Sequence, residues 1–356
     1  MSAPQTSITR ALNIRLPILQ APMAGGATAP ALVAAVCNAG GMGSFAGAML
    51  SPQATIEGVA KIRALTDKPF GVNLFVLGTP NPAPQEVARG IELLAPMRAE
   101  LGLPPAQPLA RYCEPFEGQF EALLEAAPAL ASFTFGVLTG AQVERLHARG
   151  CKVMGTATNV AEARAWAAAG ADFICAQGAE AGAHRGTFIG NYEDSLIGTI
   201  ALVPQAVDAV NVPVVAAGGI MDGRGIAAAL MLGAGAAQMG TAFLTCPEAA
   251  IHAGWKQLLR ESAETSTQVS LAYSGRMARG IVNDFMRRMA PHQHEVPAYP
   301  VQNALTGELR AAAGRAGRTE YMSLWAGQGL PMSRSLPAAE LMAQLESELA
   351  RALTRN

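Results

Sequence analysis

The sequence is short of charge, of aromatic rings and of paired cysteines, and each shortage closes off a class of function. Charged residues make up 15% of the 356 positions and nearly cancel, 26 basic against 27 acidic. Without a positive excess there is little to displace counterions from a phosphate backbone, so nucleic acid is not an expected partner. Aromatics at 5% are too sparse to stack successive bases. The five cysteines, Cys37, Cys113, Cys151, Cys175 and Cys246, are odd in number, far apart and never in a CxxC pair. Neither a disulfide framework nor a zinc knuckle fits, and apolar neighbours mark most of them as small core residues. The first 18 residues lack a basic start followed by an apolar run, so no signal peptide is expected and the location is expected to be cytoplasmic.

Long apolar runs are missing too. Two stretches, 16–56 and 226–247, carry no charge. The first is broken by Pro17, Pro22, Pro30 and Gly40-Gly41-Met42-Gly43, the second by Gly233, Gly235, Gln238 and Gly240. A membrane helix needs ~20 continuous apolar residues, so no membrane partner is expected.

What the chain does have is a 50% hydrophobic fraction and 37 glycines. That is enough to bury a large core without cross-links. One unit recurs: an Ala-rich helical stretch ends in Gly, a short apolar run follows, and the run ends in Gly or a small polar residue. AVCNAGGMGSF, HARGCKVMGTATN, AAGADFICAQG and MLGAGAAQMGTAF are four copies. Gly after a helix occupies the left-handed cap position, and apolar runs without alternation suit strands covered on both faces. Eight such runs, at 18–23, 41–45, 70–75, 131–135, 152–155, 173–177, 214–217 and 236–239, mostly start about 20–30 residues apart. Alternating helices and buried strands give an α/β fold, and eight parallel strands favour a closed (β/α)8 TIM barrel.

The barrel is expected over 10–245, with a proline-punctuated helical insertion at about 77–130. Residues 246–335 break the repeat and are expected to form a smaller, mostly helical cap on the substrate side, with helices near 249–264 and 276–289. The amphipathic stretch at 338–353 is expected to pack on the barrel as the core of a C-terminal segment, 336–356.

Barrel sites form where strands end. The residues there are Met23, Asn73, Thr134, Thr156, Thr158, Gln177, Gly218-Gly219, Gln238 and Gly240-Thr241. Amides and backbone N–H groups dominate and carboxylates are nearly absent. This argues against a glycosidase, which needs paired acids, and against a hard-metal site; no metal is expected. Gly218-Gly219 and Gly240-Thr241 follow strands seven and eight, the usual phosphate loops of this architecture. Glycine lets N–H groups approach an anion, and a short helix after Gly240-Thr241 would point its positive end inward. Residues 223–228, GRGIAA, match the GxGxxA dinucleotide pattern, but the ribose-binding acid due ~20 residues later is missing. That run is expected to start a barrel helix, with Asp222 at its N-terminus.

The loop QGAEAGAHRG after strand six sets His184 and Arg185 among small residues, where backbone can approach a ligand. An imidazole with a pKa near ~6.5 is a natural proton acceptor there. Arg185 has two readings, a direct role or a structural ion pair. His147 and His252 lie on helical stretches, and His292 and His294 in a Pro-rich loop.

The segments QAPMAGG, NAGGMGSF, TDKPFGVNLF, AQGAEAGAHRG, PVVAAGGIMDGRG, LGAGAAQMGTAF, SGRMARG and WAGQG together resemble the nitronate monooxygenase family, class I, over nearly the whole chain. The resemblance implies a barrel that holds FMN noncovalently beneath a small helical domain. It implies oxidation of alkyl nitronates, such as propionate 3-nitronate, with O2 to a carbonyl compound and nitrite, one electron passing to the flavin. It implies FMN contacts at Met23, Asn73, Gln177, Gly182, Gly219, Gln238, Met239, Gly240 and Thr241, beside Gly218 from the phosphate argument. His184 matches the active-site histidine and Tyr299 an active-site tyrosine. Three positions depart from the family pattern: Thr134, where His is frequent, and Asn303 and Gly307, where Tyr and Lys are frequent; Thr134 and Tyr299 are the expected substrate contacts. Flavin-dependent enoyl and quinone reductases are similar at a lower level. NAD(P)H-driven reduction on the same flavin bed is therefore an alternative, and a non-catalytic barrel for a phosphorylated ligand is another. The expected assembly is a monomer or homodimer.

Overall fold

The computed structural model describes residues 4–354. In chain order its helices and strands are α1 (Ser7–Leu12), β1 (Ile18–Gln20), α2 (Pro30–Asn38), β2 (Met42–Ala46), α3 (Pro52–Arg63), β3 (Gly71–Phe75), α4 (Pro84–Glu100), α5 (Phe116–Ala126), β4 (Leu130–Thr134), α6 (Gly140–Ala148), β5 (Lys152–Ala157), α7 (Val160–Ala168), β6 (Phe173–Gln177), β7 (Ala183–His184), α8 (Thr199–Ala209), β8 (Val214–Ala217), α9 (Gly223–Met231), β9 (Ala236–Met239), α10 (Thr241–Leu244), α11 (Ala253–Glu261), β10 (Thr267–Ser270), β11 (Ala278–Ile281), α12 (Asp284–Met289), α13 (Val301–Leu305), α14 (Gly307–Ala316) and α15 (Ala338–Leu353).

The closed barrel runs β1-β2-β3-β4-β5-β6-β8-β9 and returns to β1, every pair parallel. Each of the eight expected strand positions is occupied, with ends displaced by a few residues. Helix starts follow their caps: Ser51 accepts from Ala54 N–H ahead of Pro52 in α3, and Asn159 from Glu162 N–H in α7. Asp222 caps α9 by accepting from Arg224 and Gly225 N–H, so the GxGxxA match is indeed a helix start. Inside the barrel, Leu19, Met42, Leu130, Met154, Phe173 and Val215 pack together, and Ile8 and Leu12 of α1 close the N-terminal end. The filled bottom closes the barrel interior from that end, and the strand ends at the C-terminal rim stay open to a ligand. Between strands and outer helices a larger core joins Val72, Phe133, Trp166, Ile174 and Ile226 to Leu341 and Leu345 of α15, which lies against α9 and α2.

Over the rim sits a second core, with Tyr273, Phe285, Leu305, Leu309 and Leu324 at its centre. Two corrections to the sequence reading arise here. The stretch 276–289 is not one helix: its first part is β11, which pairs antiparallel with β10 and with β7, and only its second part, α12, is helical. The reason is tertiary. Gly280 lies so close to the carbonyl of Leu324 that a Cβ there would sit 2.9 Å from its oxygen, and the strand is held between a near neighbour, β10, and a partner far away in sequence, β7. The insertion after β3 also divides in two. Helix α4 turns outward, burying Val87, Leu94 and Met97 in the cap core, whereas α5 buries Phe116, Phe120 and Leu123 against the barrel as an ordinary crossover helix. Among the described residues no helix is long and apolar enough to cross a membrane.

Candidate active site

At the C-terminal rim, under the cap, lies a cavity of about 1550 Å³ of empty space, its open mouth included. Met23, Asn73, Thr134, Gln177, Gly182, His184, Gly218, Gly219, Gln238, Gly240 and Thr241 all line it, brought together from six strand ends and the β7 loop. Met239 and Tyr299 do not. Met239 is buried in the layer behind the strands. Tyr299 stands behind His184, its ring centroid 5.3 Å from the imidazole. No Asp or Glu reaches the wall, whose ionisable side chains are Cys175, His184 and Arg310. Burial pushes the Cys175 thiol up to about 12, so it stays protonated and is no nucleophile.

One end of the cavity is made of backbone. Gly218 has φ +113°, a conformation closed to side chains, and a Cβ on Gly182 would lie 2.5 Å from Gly327 N. The N–H groups of Gly218, Gly219, Gly240 and Thr241 donate to no backbone carbonyl. Gly219 is exposed, Gly218 and Gly240 are half-buried and Thr241 opens α10, so four N–H groups without a protein acceptor among the described residues gather around one glycine-lined hollow, an arrangement suited to an anion. Across the hollow, Gly327 N–H donates to Thr241 Oγ1 at 2.9 Å, which ties the WAGQG segment to the barrel.

The barrel floor is polar but uncharged. Asn73 Nδ2 donates to the carbonyl and hydroxyl of Ser132, both at 3.1 Å. Thr134 Oγ1 lies 3.3 Å from Thr156 Oγ1. Among the described residues Gln238 Nε2 reaches only the Cys175 sulfur, at 3.4 Å, and its buried Oε1 has no donor. Trp255 Nε1, on the same wall, has no acceptor. Gln177 is different: Nε2 donates to His184 O at 3.0 Å, while Oε1 accepts from Gly186 N–H and from Arg185. Its amide is spent on folding the histidine loop back over the barrel.

The other end is made of large side chains. His184 is ringed edge-on by Phe75, Phe135 and Tyr299, with Trp325 tilted beside it. Its Nε2 lies 2.9 Å from Ser274 Oγ. Burial, then the positive charges of Arg276 and Arg310, push its pKa down to about 3, so the ring is neutral at pH 7. Two non-glycine residues hold positive φ here, Phe135 at +80° and Ala183 at +59°. Such backbone costs on the order of 1–3 kcal/mol and gathers at functional sites. Arg276 lies over the Phe135 ring, 3.9 Å from its centroid.

The chain matches the model of the nitronate monooxygenase family over residues 6–348. A probable nitronate monooxygenase of Staphylococcus saprophyticus is 41% identical over 341 residues, covering 95% of each protein. Among solved structures, the nitroalkane oxidase of Streptomyces ansochromogenes superposes with a TM-score of 0.91 at 41% identity, covering 98% of this chain and 99% of that one. The chain belongs to the nitronate monooxygenase family. A second structure, FabK from Thermotoga maritima, has a TM-score of 0.75 at 28% identity, covering 98% of this chain and 97% of that one.

The family assignment makes this an oxidoreductase, and the electrostatics of this nitronate monooxygenase relative add what sequence motifs did not carry. Four guanidiniums, of Arg185, Arg276, Arg279 and Arg310, are packed around the histidine end, and every hydrogen bond they make goes to a neutral oxygen. Arg185 donates to Gln177 Oε1 and the carbonyls of Gly178 and Ser195. The sequence reading of Arg185 as an ion-pair partner is thereby corrected: it props the loop through carbonyls. Arg276 donates to the carbonyls of Arg185 and Thr187, and Arg279 to those of Ala179 and Thr267. Arg310 Nε donates to Thr306 Oγ1 and Nη2 to Asn303, whereas Nη1 makes no hydrogen bond among the described residues. The nearby acids are turned elsewhere, Glu162 onto backbone N–H groups of 158, 188 and 189, Glu180 onto Thr199. Burial pulls Arg185 and Arg276 down to about 10, which still leaves both charged at pH 7. Glu162 and Glu180 still favour the charged forms of Arg185, Arg276 and Arg279 through space, whereas no carboxylate acts on Arg310, the one of the four on the cavity wall; a buried cation in that position is costly, and an anionic ligand would offset the cost. Ser274, Arg276, Arg310 and Trp325 were not singled out from sequence. The first two and Trp325 lie in the SGRMARG and WAGQG segments, but Arg310 sits in an Ala-rich helix with no local mark of function.

Proposed function

We propose that the protein is an FMN-dependent monooxygenase that oxidises alkyl nitronates, with propionate 3-nitronate as the test substrate, using O2 and yielding a carbonyl compound and nitrite. The observation that carries this reading is the cavity's charge pattern: no wall carboxylate, free N–H donors at one end, and at the other the Arg310 guanidinium, on which no carboxylate acts. One anion suits each end.

FMN fits the first end and the floor. The glycine rim would hold its phosphate through the N–H groups of Gly218, Gly219, Gly240 and Thr241. Gln238, with its orphaned Oε1, and Asn73 would meet the polar edge of the ring, and Met23 its neighbourhood. Leaving a buried acceptor such as Gln238 Oε1 unpaired costs about 1–3 kcal/mol, which a ligand donor removes. When bound, FMN supplies the redox chemistry, taking electrons from the nitronate in a reaction that O2 completes.

The protein's own part is binding, orientation and charge. A nitronate is already deprotonated at carbon, so it needs no strong base. A histidine whose pKa is pushed down to about 3 is a weak base, and this favours a nitronate over the neutral nitroalkane. Arg310, with a free Nη1 on the wall beside Asn303, suits a carboxylate on the substrate's tail. Asn303 and Gly307 stand where the family pattern often has Tyr and Lys, and Arg310 supplies positive charge from one helical turn further on. Phe75 and Trp325 shield the reacting centre from water.

The test is an anaerobic titration of the purified yellow protein with propionate 3-nitronate, followed by air. The expected result is a change in the flavin spectrum on titration and O2-dependent release of nitrite. Rapid bleaching by NADPH with no nitronate turnover would assign the bed to a reductase instead. A colourless protein that cannot be reconstituted with FMN would overturn the cofactor.

A further inference from the structure

The hydrogen-bond count at Ser274 decides which nitrogen of His184 faces the cavity. Ser274 is buried at 1% exposure and does not line the cavity. Its Oγ lies 3.0 Å from the carbonyl of Arg276, 3.3 Å from the N–H of Arg276 and 2.9 Å from His184 Nε2. A serine hydroxyl has one proton and two lone pairs. The carbonyl can only accept, and no other backbone N–H donates to it, so the single hydroxyl proton belongs there. The Arg276 N–H can only donate, which fills one lone pair. One lone pair remains, and it needs a donor. We infer that His184 Nε2 carries the proton and donates to Ser274, so that Nδ1 presents a bare lone pair to the cavity and is the atom through which any proton passes between this ring and a bound molecule.

The opposite tautomer would face the hydroxyl with a second acceptor and leave the half-buried Arg276 carbonyl or the imidazole without a protein donor. Such a loss is worth about 1–3 kcal/mol, enough for one tautomer to outnumber the other by about 5-fold or more. Nδ1 makes no hydrogen bond within the described residues, while the ring lines the cavity. The turn around Ser274 is itself held rigid. Gly275 N–H donates to Leu271 O at 2.8 Å, and a Cβ on Gly275 would lie 2.0 Å from Pro297 O. Because β11 follows directly and pairs with β7 at Ala278 and His184, the same segment that supplies the hydroxyl also sets the height of the ring. Ser274 is thus a positioning residue, acting on the substrate only through His184.

The inference rests on the proposed function for what meets Nδ1, but not for the tautomer itself, and the two can fail separately. Side-chain 15N NMR of the intact flavin-loaded protein, labelled at its 5 histidines, reads the tautomer directly, with His184→Asn identifying the signal. Expected at pH 7 is one imidazole with a protonated Nε2 and an unprotonated Nδ1. In Ser274→Ala that signal moves toward a mixture of tautomers, and kcat/KM for propionate 3-nitronate falls about 10-fold with the flavin still bound. A protonated Nδ1 in the unaltered protein overturns the inference, as does a Ser274→Ala variant whose His184 signal stays put. An unaltered protein that shows the expected tautomer yet turns over no nitronate would sink the substrate reading and leave the tautomer standing.

Discussion

The two ends of the cavity are built by opposite means. At the rim of β8 and β9 the site exists because side chains are missing: Gly182, Gly218, Gly219, Gly240 and Gly327 let four stretches of backbone converge, with N–H groups to spare. At the histidine end it exists because large side chains are crowded together, with His184, Tyr299, Phe75 and Phe135 in mutual contact, Trp325 against His184, and guanidiniums behind them. A backbone site tolerates no added atoms but asks nothing of side-chain chemistry. A side-chain site can be retuned one residue at a time. On the proposed reading the glycine end would hold the cofactor and the side-chain end the substrate, so the second could vary while the first stays fixed.

The comparison breaks most sharply at Gly182. A Gly182→Val side chain would have to displace Gly327 N, 2.5 Å from the new Cβ. We expect FMN affinity to drop roughly 100-fold, read by flavin fluorescence titration; unchanged affinity would mean the glycine end does not hold the phosphate. The side-chain end should respond in the reverse sense. His184→Asn is expected to retain FMN fully while kcat/KM for nitronate falls about 100-fold, and loss of flavin instead would merge the two ends into one. Arg310→Met should be selective. Loss of a charged hydrogen bond, about 1.5–3 kcal/mol, corresponds to about 10- to 100-fold for propionate 3-nitronate, with only a few-fold change for a nitronate lacking the carboxylate. Equal losses on both substrates would make Arg310 purely structural.

A smaller effect should appear in acid. His184 is held neutral in the folded protein, its pKa pushed down to about 3, whereas an unfolded histidine titrates near ~6.5. Below ~6.5 the unfolded chain binds the extra proton, so this residue's contribution is whole above that pH and is lost as pH falls toward 3. Thermal melts should therefore show a steeper decline from pH 6.5 to pH 5 in the unaltered protein than in His184→Asn; parallel declines would refute the neutral, desolvated ring. The smallest change is a control for the glycine argument. Gly314 lies inside α14, and a methyl added there would have nothing within 4 Å. Gly314→Ala should add about 0.4–1 kcal/mol of stability and leave FMN binding untouched.

Much of this was legible locally. The repeating unit of helix, glycine and apolar run marked all eight barrel strands, because burial on both faces and a left-handed helix end each leave a mark within a dozen residues. Gly170, for example, ends the turn after α7 at φ +96°. The polar strand ends followed at once, since in a barrel they share a rim. The stretch 276–289 was not legible, because what makes its first part a strand is pairing on both sides, with β10 just before it and with β7 about 95 positions earlier. The division of labour between α4 and α5 was hidden for a like reason: both are amphipathic, and amphipathicity tells that a face is buried but not against which core.

The sequence alone determined the barrel, the glycine rim and the candidate histidine, because each depends on backbone conformation or on burial pattern over short spans. Only the tertiary structure decided what His184 is chemically. Its neutrality comes from burial under the cap and from Arg276 and Arg310, and its hydrogen-bond partner Ser274 lies 90 positions away. Charge and proton position follow from distance through space, and no pattern along the chain encodes that distance.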